Sequence, residues 1–321
     1  MFVPILLFVL GLVLLIKGGD WFVDGATGIA HRFHIPELLI GATVVSVGTT
    51  LPEVMVSATS AVSGHGEIAY GNAIGSIICN TALIAAIIMA IRPAKVDKKA
   101  FLLPVLFFFG AAAFYVGVAV TTGYFSRWVG VILLAVFAAY MALLVREALK
   151  APNQRAEVDE PHEQREFGKD VLLLVMGAVL IAIGARLLVD NGTLIAQALG
   201  VPESVIALTF VALGTSLPEL VTAITSLVKG HGALSLGNII GANLFNLVLV
   251  SGVSVVLSPF AIPAGKMVGG VNASLAVDIP VMFLVMGLMT IPALVKGRLS
   301  RWQGVALLGI YAAFCVFQFV G

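Results

Sequence analysis

A chain of 321 residues that is 60% hydrophobic and only 11% charged is not built to meet water over most of its surface, since soluble domains carry about 25% charged residues. Its formal net charge of +1 excludes a polybasic nucleic-acid binder. Its two cysteines, Cys79 and Cys315, stand in apolar runs without ligand spacing, so neither a disulfide framework nor a zinc site is expected.

A helix needs about 20 apolar residues to cross the hydrocarbon of a bilayer. On that rule the first span is 2–29. Its opening, MFVPILLFVLGLVLLIKGG, has no basic n-region and no A-x-A site, so it reads as a membrane span and not as a cleaved signal peptide. The second, 36–63, contains SVGTTLPEVMVS, and the third, 67–91, contains GNAIGSIICN. The fourth and fifth are 100–121 and 127–148. The polar stretch 146–170, with Pro152, Pro161 and mixed charges, reads as a solvated linker. Spans six to ten are 168–197, 203–228 with ALGTSLPELVTA, 233–257, 270–295 and 302–320.

Loops after odd-numbered spans hold Arg32; Arg92, Lys95, Lys98, Lys99; Arg146, Lys150, Arg155, Arg165, Lys169; Lys229; and Lys296, Arg298, Arg301. The other loops hold only Arg127 and Lys266, with Lys17 and Arg186 inside spans. Cations collect on the cytoplasmic side, which places both termini outside and the linker inside a cell (inner or plasma) membrane.

Shifted by 166 residues, the sequence aligns with itself without a gap: 22 of the 48 positions in 36–83 are identical in 202–249. The matches include Gly48/Gly214, Thr49/Thr215, Pro52/Pro218, Glu53/Glu219, His65/His231, Asn72/Asn238 and Asn80/Asn246. Five spans per copy, an odd number, insert the second copy upside down. The expected fold is therefore an all-α membrane protein of ten transmembrane helices in two inverted-topology five-helix repeats. Residues 1–150 form the first repeat and 168–321 the second, joined by a cytoplasmic linker at 151–167. Inverted repeats are the architecture of secondary transporters, which bind their cargo near the midplane where helices break.

Pro52 has no amide hydrogen and clashes with the carbonyl of Gly48, so a kinked or broken turn with freed carbonyls is expected near 46–49. Ser46, Thr49, Thr50 and Glu53 share one helical face, and Thr215, Ser216 and Glu219 repeat the pattern, with Ala212 in place of the serine. Asn72, Ser76 and Asn80 make a second stripe, echoed by Asn238, Ala242 and Asn246. These are hard oxygen donors, suited to Ca²⁺ and Na⁺ and not to zinc or copper. Intramembrane carboxylates are costly and mark function. Asn72 and Asn238 are expected to cap helices, His65 and His231 to lie at the surface, and Asp24 and Asp190 either to form pairs or interfaces or to take part in transport.

GTTLPE…GNAIGSIICN and GTSLPE…GNIIGANLFN resemble the α1 and α2 repeats of the sodium/calcium exchanger family, within the cation/calcium antiporter superfamily. The resemblance implies exchange of Na⁺ for Ca²⁺ by alternating access, with inorganic cations and the lipid bilayer as partners, no obligatory protein partner and no cofactor, and the lack of H-E-x-x-H and G-x-S-x-G motifs speaks against an enzyme. It implies that Glu53 and Glu219 ligate both ions. Thr49 and Thr215 would give carbonyls and hydroxyls, Ser46 and Ala212 carbonyls, Thr50 and Ser216 side-chain oxygens, and Ser76 a sodium ligand. Asn80 and Asn246 would complete the middle position. Thr50 stands where serine is usual, Ile77 replaces an asparagine, Ala242 replaces a sodium-ligating serine, and Asn246 stands where some members have aspartate. The alternatives are proton-coupled Ca²⁺ exchange, although the acidic motif of that branch is missing, and exchange of other cations, including K⁺ co-transport.

Overall fold

The computed structural model describes residues 2–150, 166–199, 214–264 and 267–320. Among them the helices are α1 (Phe2–Arg32), α2 (Glu37–Val62), α3 (Gly66–Ile91), α4 (Lys98–Thr122), α5 (Arg127–Lys150), α6 (Phe167–Ala198), α7 (Leu217–Val228), α8 (Gly232–Leu257), α9 (Ser274–Lys296) and α10 (Arg301–Val320). Eight of them are long and apolar enough to cross a membrane; α7 is shorter, and α10 falls outside that set. The expected span ends lie within a few residues of these bounds wherever the chain is described.

The helices are not uniformly α. Wider π turns interrupt α2 at Gly41–Val45, α3 at Asn80–Ala85, α8 at Asn246–Val250 and the start of α9 at Ser274–Asp278. At two of these turns a carbonyl that accepts the backbone N–H of a serine five residues on also faces that serine's hydroxyl. Ser46 donates to Gly41 O at 2.7 Å, and Ser251 donates to Asn246 O at 3.2 Å. Of the kinked or broken turn expected at Pro52, the break is corrected. The α-helix runs unbroken from Ser46 to Val62 with Pro52 inside it, and the irregularity lies two turns earlier. Pro52 withholds only its own N–H, and its ring faces the carbonyl of Gly48, a residue without a side chain to obstruct adjustment. Pro218 stands in the first turn of α7, which begins at Leu217 after a turn at 214–216.

The chain folds into two compact units, each drawing on sequence from both sides of the linker: 1–49 with 146–238, and 50–145 with 239–321. In the first unit α1 and α6 run antiparallel with their backbones in near contact. A Cβ on Gly11 would lie 2.9 Å from Gly184 O, and one on Gly18 would lie 2.9 Å from Gly177 O. Small residues permit such approach in membrane helices, where dispersion and not hydrophobicity drives packing. Phe22, Val23, Ile40, Val45, Ile181 and Leu234 are core residues of this unit. Lys229, which ends α7, reaches α1: its Nζ lies 2.8 Å from Asp24 Oδ1 and 3.5 Å from Asp20 Oδ1. Asp24 thus forms a pair, as does Asp190, 3.6 Å from Arg186.

In the second unit Gly304 brings α10 onto α3, where a Cβ would meet Ala86 O and Ala90 N. An aromatic layer binds α4, α5 and α8 together, with Tyr115 stacked on Phe125 at 4.5 Å and Phe137 edge-on to Phe245 at 5.0 Å. Two-residue strands pair Tyr124–Phe125 with Phe260–Ala261, and Met267–Val268 with Val271–Asn272.

Candidate cation-binding residues

In the first unit, α2 and α8 meet through glycine. Gly237 lies against Leu38 O, and a Cβ on Gly41 would fall 2.8 Å from Asn238 N. That closeness lets the start of the GTTLPE stretch bond directly to Asn238. Ser46 Oγ, whose single hydrogen is shared with Gly41 O, also lies 2.9 Å from Asn238 O, and Thr49 Oγ1 donates to Asn238 Oδ1 at 3.2 Å. Asn238 is therefore no helix cap: it is fully buried in the middle of α8 and organises two of the expected ligands. With Thr49 Oγ1 donating to it, the hydroxyl's lone pairs remain available to a cation.

On α7, Ser216 is the N-cap residue, yet its hydroxyl makes no capping bond and has no partner among the described residues. Glu219 follows in the first turn and is fully buried. Thr215 lies in the preceding turn, partly exposed. Ala212 lies outside the described residues. Two further hydroxyls, Thr222 and Ser226, are fully buried on the Glu219 face of α7, three and seven residues on, and neither oxygen has a partner among the described residues. The sequence reading missed them, although their helical spacing from Glu219 carries the signal.

In the second unit, Thr50 and Glu53 continue the face of α2, both fully buried. Asn72, on α3, is likewise not a cap, since α3 starts six residues earlier at Gly66. Its Nδ2 donates to Glu53 O at 3.2 Å and to Ser57 Oγ at 2.8 Å, tying α3 to the segment that carries the carboxylate. Ser76 and Asn80 lie buried one and two turns on. Asn80 opens a π turn, and neither its amide nitrogen nor its amide oxygen has a partner among the described residues. Asn246 also opens a π turn; its Nδ2 donates to Ala242 O at 3.0 Å, which leaves Oδ1 open for another donor or a cation. Asn243 Nδ2 is held by Thr81 Oγ1 at 2.7 Å and Met286 Sδ at 3.2 Å.

The expected surface position of His231 is corrected: it is partly buried, with Nδ1 2.7 Å from Glu37 Oε1, whereas His65 is exposed. Among the described residues no three His, Cys, Asp or Glu side chains come together. A cation held here would thus draw on hydroxyl, amide and backbone oxygens beside each carboxylate, a donor set that fits Ca²⁺ and Na⁺.

The sequence profile described as "Sodium/calcium exchanger protein" matches residues 3–146 and 169–320. The chain belongs to the sodium/calcium exchanger family. This exchanger is 30% identical to sodium/calcium exchanger MaX1 of Methanosarcina acetivorans, over 99% of each chain. It is 36% identical to the inner membrane protein YrbG of Escherichia coli, over 79% of each. A solved structure of the sodium-calcium exchanger NCX_Mj, soaked with Na⁺ and Sr²⁺, superposes with a TM-score of 0.79 at 32% identity over 97% of both chains. Family and fold together support cation/Ca²⁺ antiport by an all-helical membrane protein.

Proposed function

We propose that this exchanger trades Na⁺ for Ca²⁺ by alternating access, and that the Na⁺ gradient drives Ca²⁺ outward. The observation that carries the reading is the fully buried pair Glu53 and Glu219, 166 residues apart in matching apolar helices, each beside a proline and buried hydroxyls. Two carboxylates match the charge of one Ca²⁺. Thr49, Thr50, Ser46, Ser76, Asn80, Thr215, Ser216, Ala212 and Asn246 join them as ligands in this proposal, and Na⁺ ions occupy overlapping positions. The names of MaX1 and NCX_Mj favour sodium as the coupling ion.

The proposal includes ten spans in two inverted repeats, 1–150 and 168–321, with both termini outside and 151–167 inside. Support comes from α1 and α6. The repeat carries Gly11 to Gly177 and Gly18 to Gly184, so it turns the contact Gly11–Gly184 into the contact Gly18–Gly177, and both occur between antiparallel helices. This pair of helices, largely open on its outer faces, is the element that moves to switch access.

Purified protein in Na⁺-loaded vesicles, diluted into Na⁺-free buffer, is expected to take up Ca²⁺ only while internal Na⁺ is present. Uptake driven by a pH gradient alone would replace Na⁺ with protons as the coupling ion.

A further inference from the structure

We infer that the paired segments 94–99 and 295–301 form a binding surface for the headgroup of an anionic phospholipid. The two segments, 200 residues apart in sequence and both in the second unit, form one short antiparallel ladder. Val96 N donates to Gly297 O, and Leu299 N donates to Ala94 O, each at 2.9 Å. Gly297 takes the left-handed conformation, φ +67°, that turns the end of α9 into this ladder, and Lys98 Nζ is fastened to Val295 O at 2.7 Å. Val96 and Leu299 point inward, 7% and 3% exposed. Their neighbours Lys95 and Arg298 therefore face outward directly across from each other, with Cβ atoms about 5 Å apart.

That arrangement is unfavourable without an anion. Like charges directly opposite in a ladder repel. The first turns of α4 and α10 add Lys98, Lys99 and Arg301 and hold no acidic residue, although a helix N-terminus favours anions. Among the described residues no carboxylate pairs with Lys95, Lys99, Lys296, Arg298 or Arg301. The carboxylate of Asp97 is turned to the backbone, accepting from Lys99 N at 3.0 Å. The positive-inside bias accounts for cations on this side. It does not account for two loops bonded together so that their cations converge.

A phosphodiester placed over Lys95 and Arg298 relieves the repulsion and accepts from both. A lipid, and not a soluble phosphate, fits because apolar side chains rim the patch. Ile91, Val295 and Trp302 are 64%, 69% and 50% exposed, and tryptophan favours the level of the headgroups. The inference needs only a membrane-embedded chain and is independent of which ion is exchanged.

The test is native mass spectrometry of the full-length protein in detergent with equal phosphatidylglycerol and phosphatidylcholine. The wild type is expected to retain phosphatidylglycerol selectively. Each cation removed weakens retention about fivefold, so Lys95→Gln/Lys99→Gln/Arg298→Gln loses on the order of a hundredfold. Lys95→Arg/Lys99→Arg, which keeps the charge, holds the lipid, and the single change Lys99→Gln reads the fivefold step should the triple variant fail to fold. The control Arg146→Gln/Lys169→Gln/Arg186→Gln, removing cations elsewhere, retains it. Unchanged selectivity in the triple variant, equal loss in the control, or displacement of the lipid by millimolar inorganic phosphate would each overturn the proposal.

Discussion

A carboxylate with no exposed surface in an apolar helix must be balanced, because an isolated buried charge is very costly. Glu53 and Glu219 are both without exposed surface, and in our proposal the transported cation contributes to their balance. Glu53→Gln or Glu219→Gln should then lower Ca²⁺ flux about a hundredfold or more, in keeping with the ~3–5 kcal/mol cost of removing one member of a buried charge pair. Vesicles with either variant still exchanging at a normal rate would remove the assignment. Thr50 offers a cleaner test. Its hydroxyl is buried without a partner among the described residues, so Thr50→Val strips no bond from the protein itself, and such a change is close to neutral for folding. If the oxygen serves the ion, apparent Ca²⁺ affinity falls roughly tenfold, about 1.4 kcal/mol, while the melting temperature stays put. A loss of stability with normal affinity would give Thr50 a structural role instead.

Among the elements, the α1–α6 pair sets the tightest steric condition. A Cβ on Gly18 would fall 2.8 Å from Ile181 N, and backbone cannot yield as a flexible side chain does. Gly18→Ala should force α1 and α6 apart, at about 1–3 kcal/mol, and slow exchange in flux assays. Gly117→Ala on α4, where a Cβ would meet nothing within 4 Å, should leave both flux and melting temperature unchanged. Equal effects of the two would mean that the close approach has no part in the transport cycle. These glycines were visible in the sequence only as matched positions; which backbone each one admits is a tertiary fact. The same division holds along the site. Helix ends were legible because twenty-residue apolar runs and punctuating charges leave little freedom, as at 98–122. The π turns were not. Asn80 and Asn246 could be seen as matched asparagines, but one extra residue in a helical turn leaves no compositional mark. Nor did Pro52 behave as its type suggests, because the flexibility of Gly48 and the earlier π turn let the helix carry it. Asn72 and Asn238 looked like caps through the glycines before them, and only the packing of α3 and α8 shows them as mid-helix donors and acceptors.

For the whole molecule, the inverted repeat makes a claim that neither residue nor element chemistry can test. If five spans precede the linker and five follow it, residue pairs 166 apart lie at mirrored depths, and the chain must begin and end on the same side. A four-span first half would place the linker and the N-terminus together instead. In our proposal the sorting of lysine and arginine favours five, since it collects Arg92 to Lys99, the linker and Lys296 to Arg301 on one side, and positive residues mark the cytoplasm. Reporter fusions read this directly. Alkaline phosphatase attached after Gly321 should be active, as it folds only outside, and a fluorescent protein inserted at 151–165 should be bright, as it matures only inside. A dark linker insertion with an inactive C-terminal phosphatase would turn the protein over, and the sodium gradient would then draw calcium through it from the other face. An active phosphatase at both places would instead break the count of five, and with it the symmetry that pairs Glu53 with Glu219.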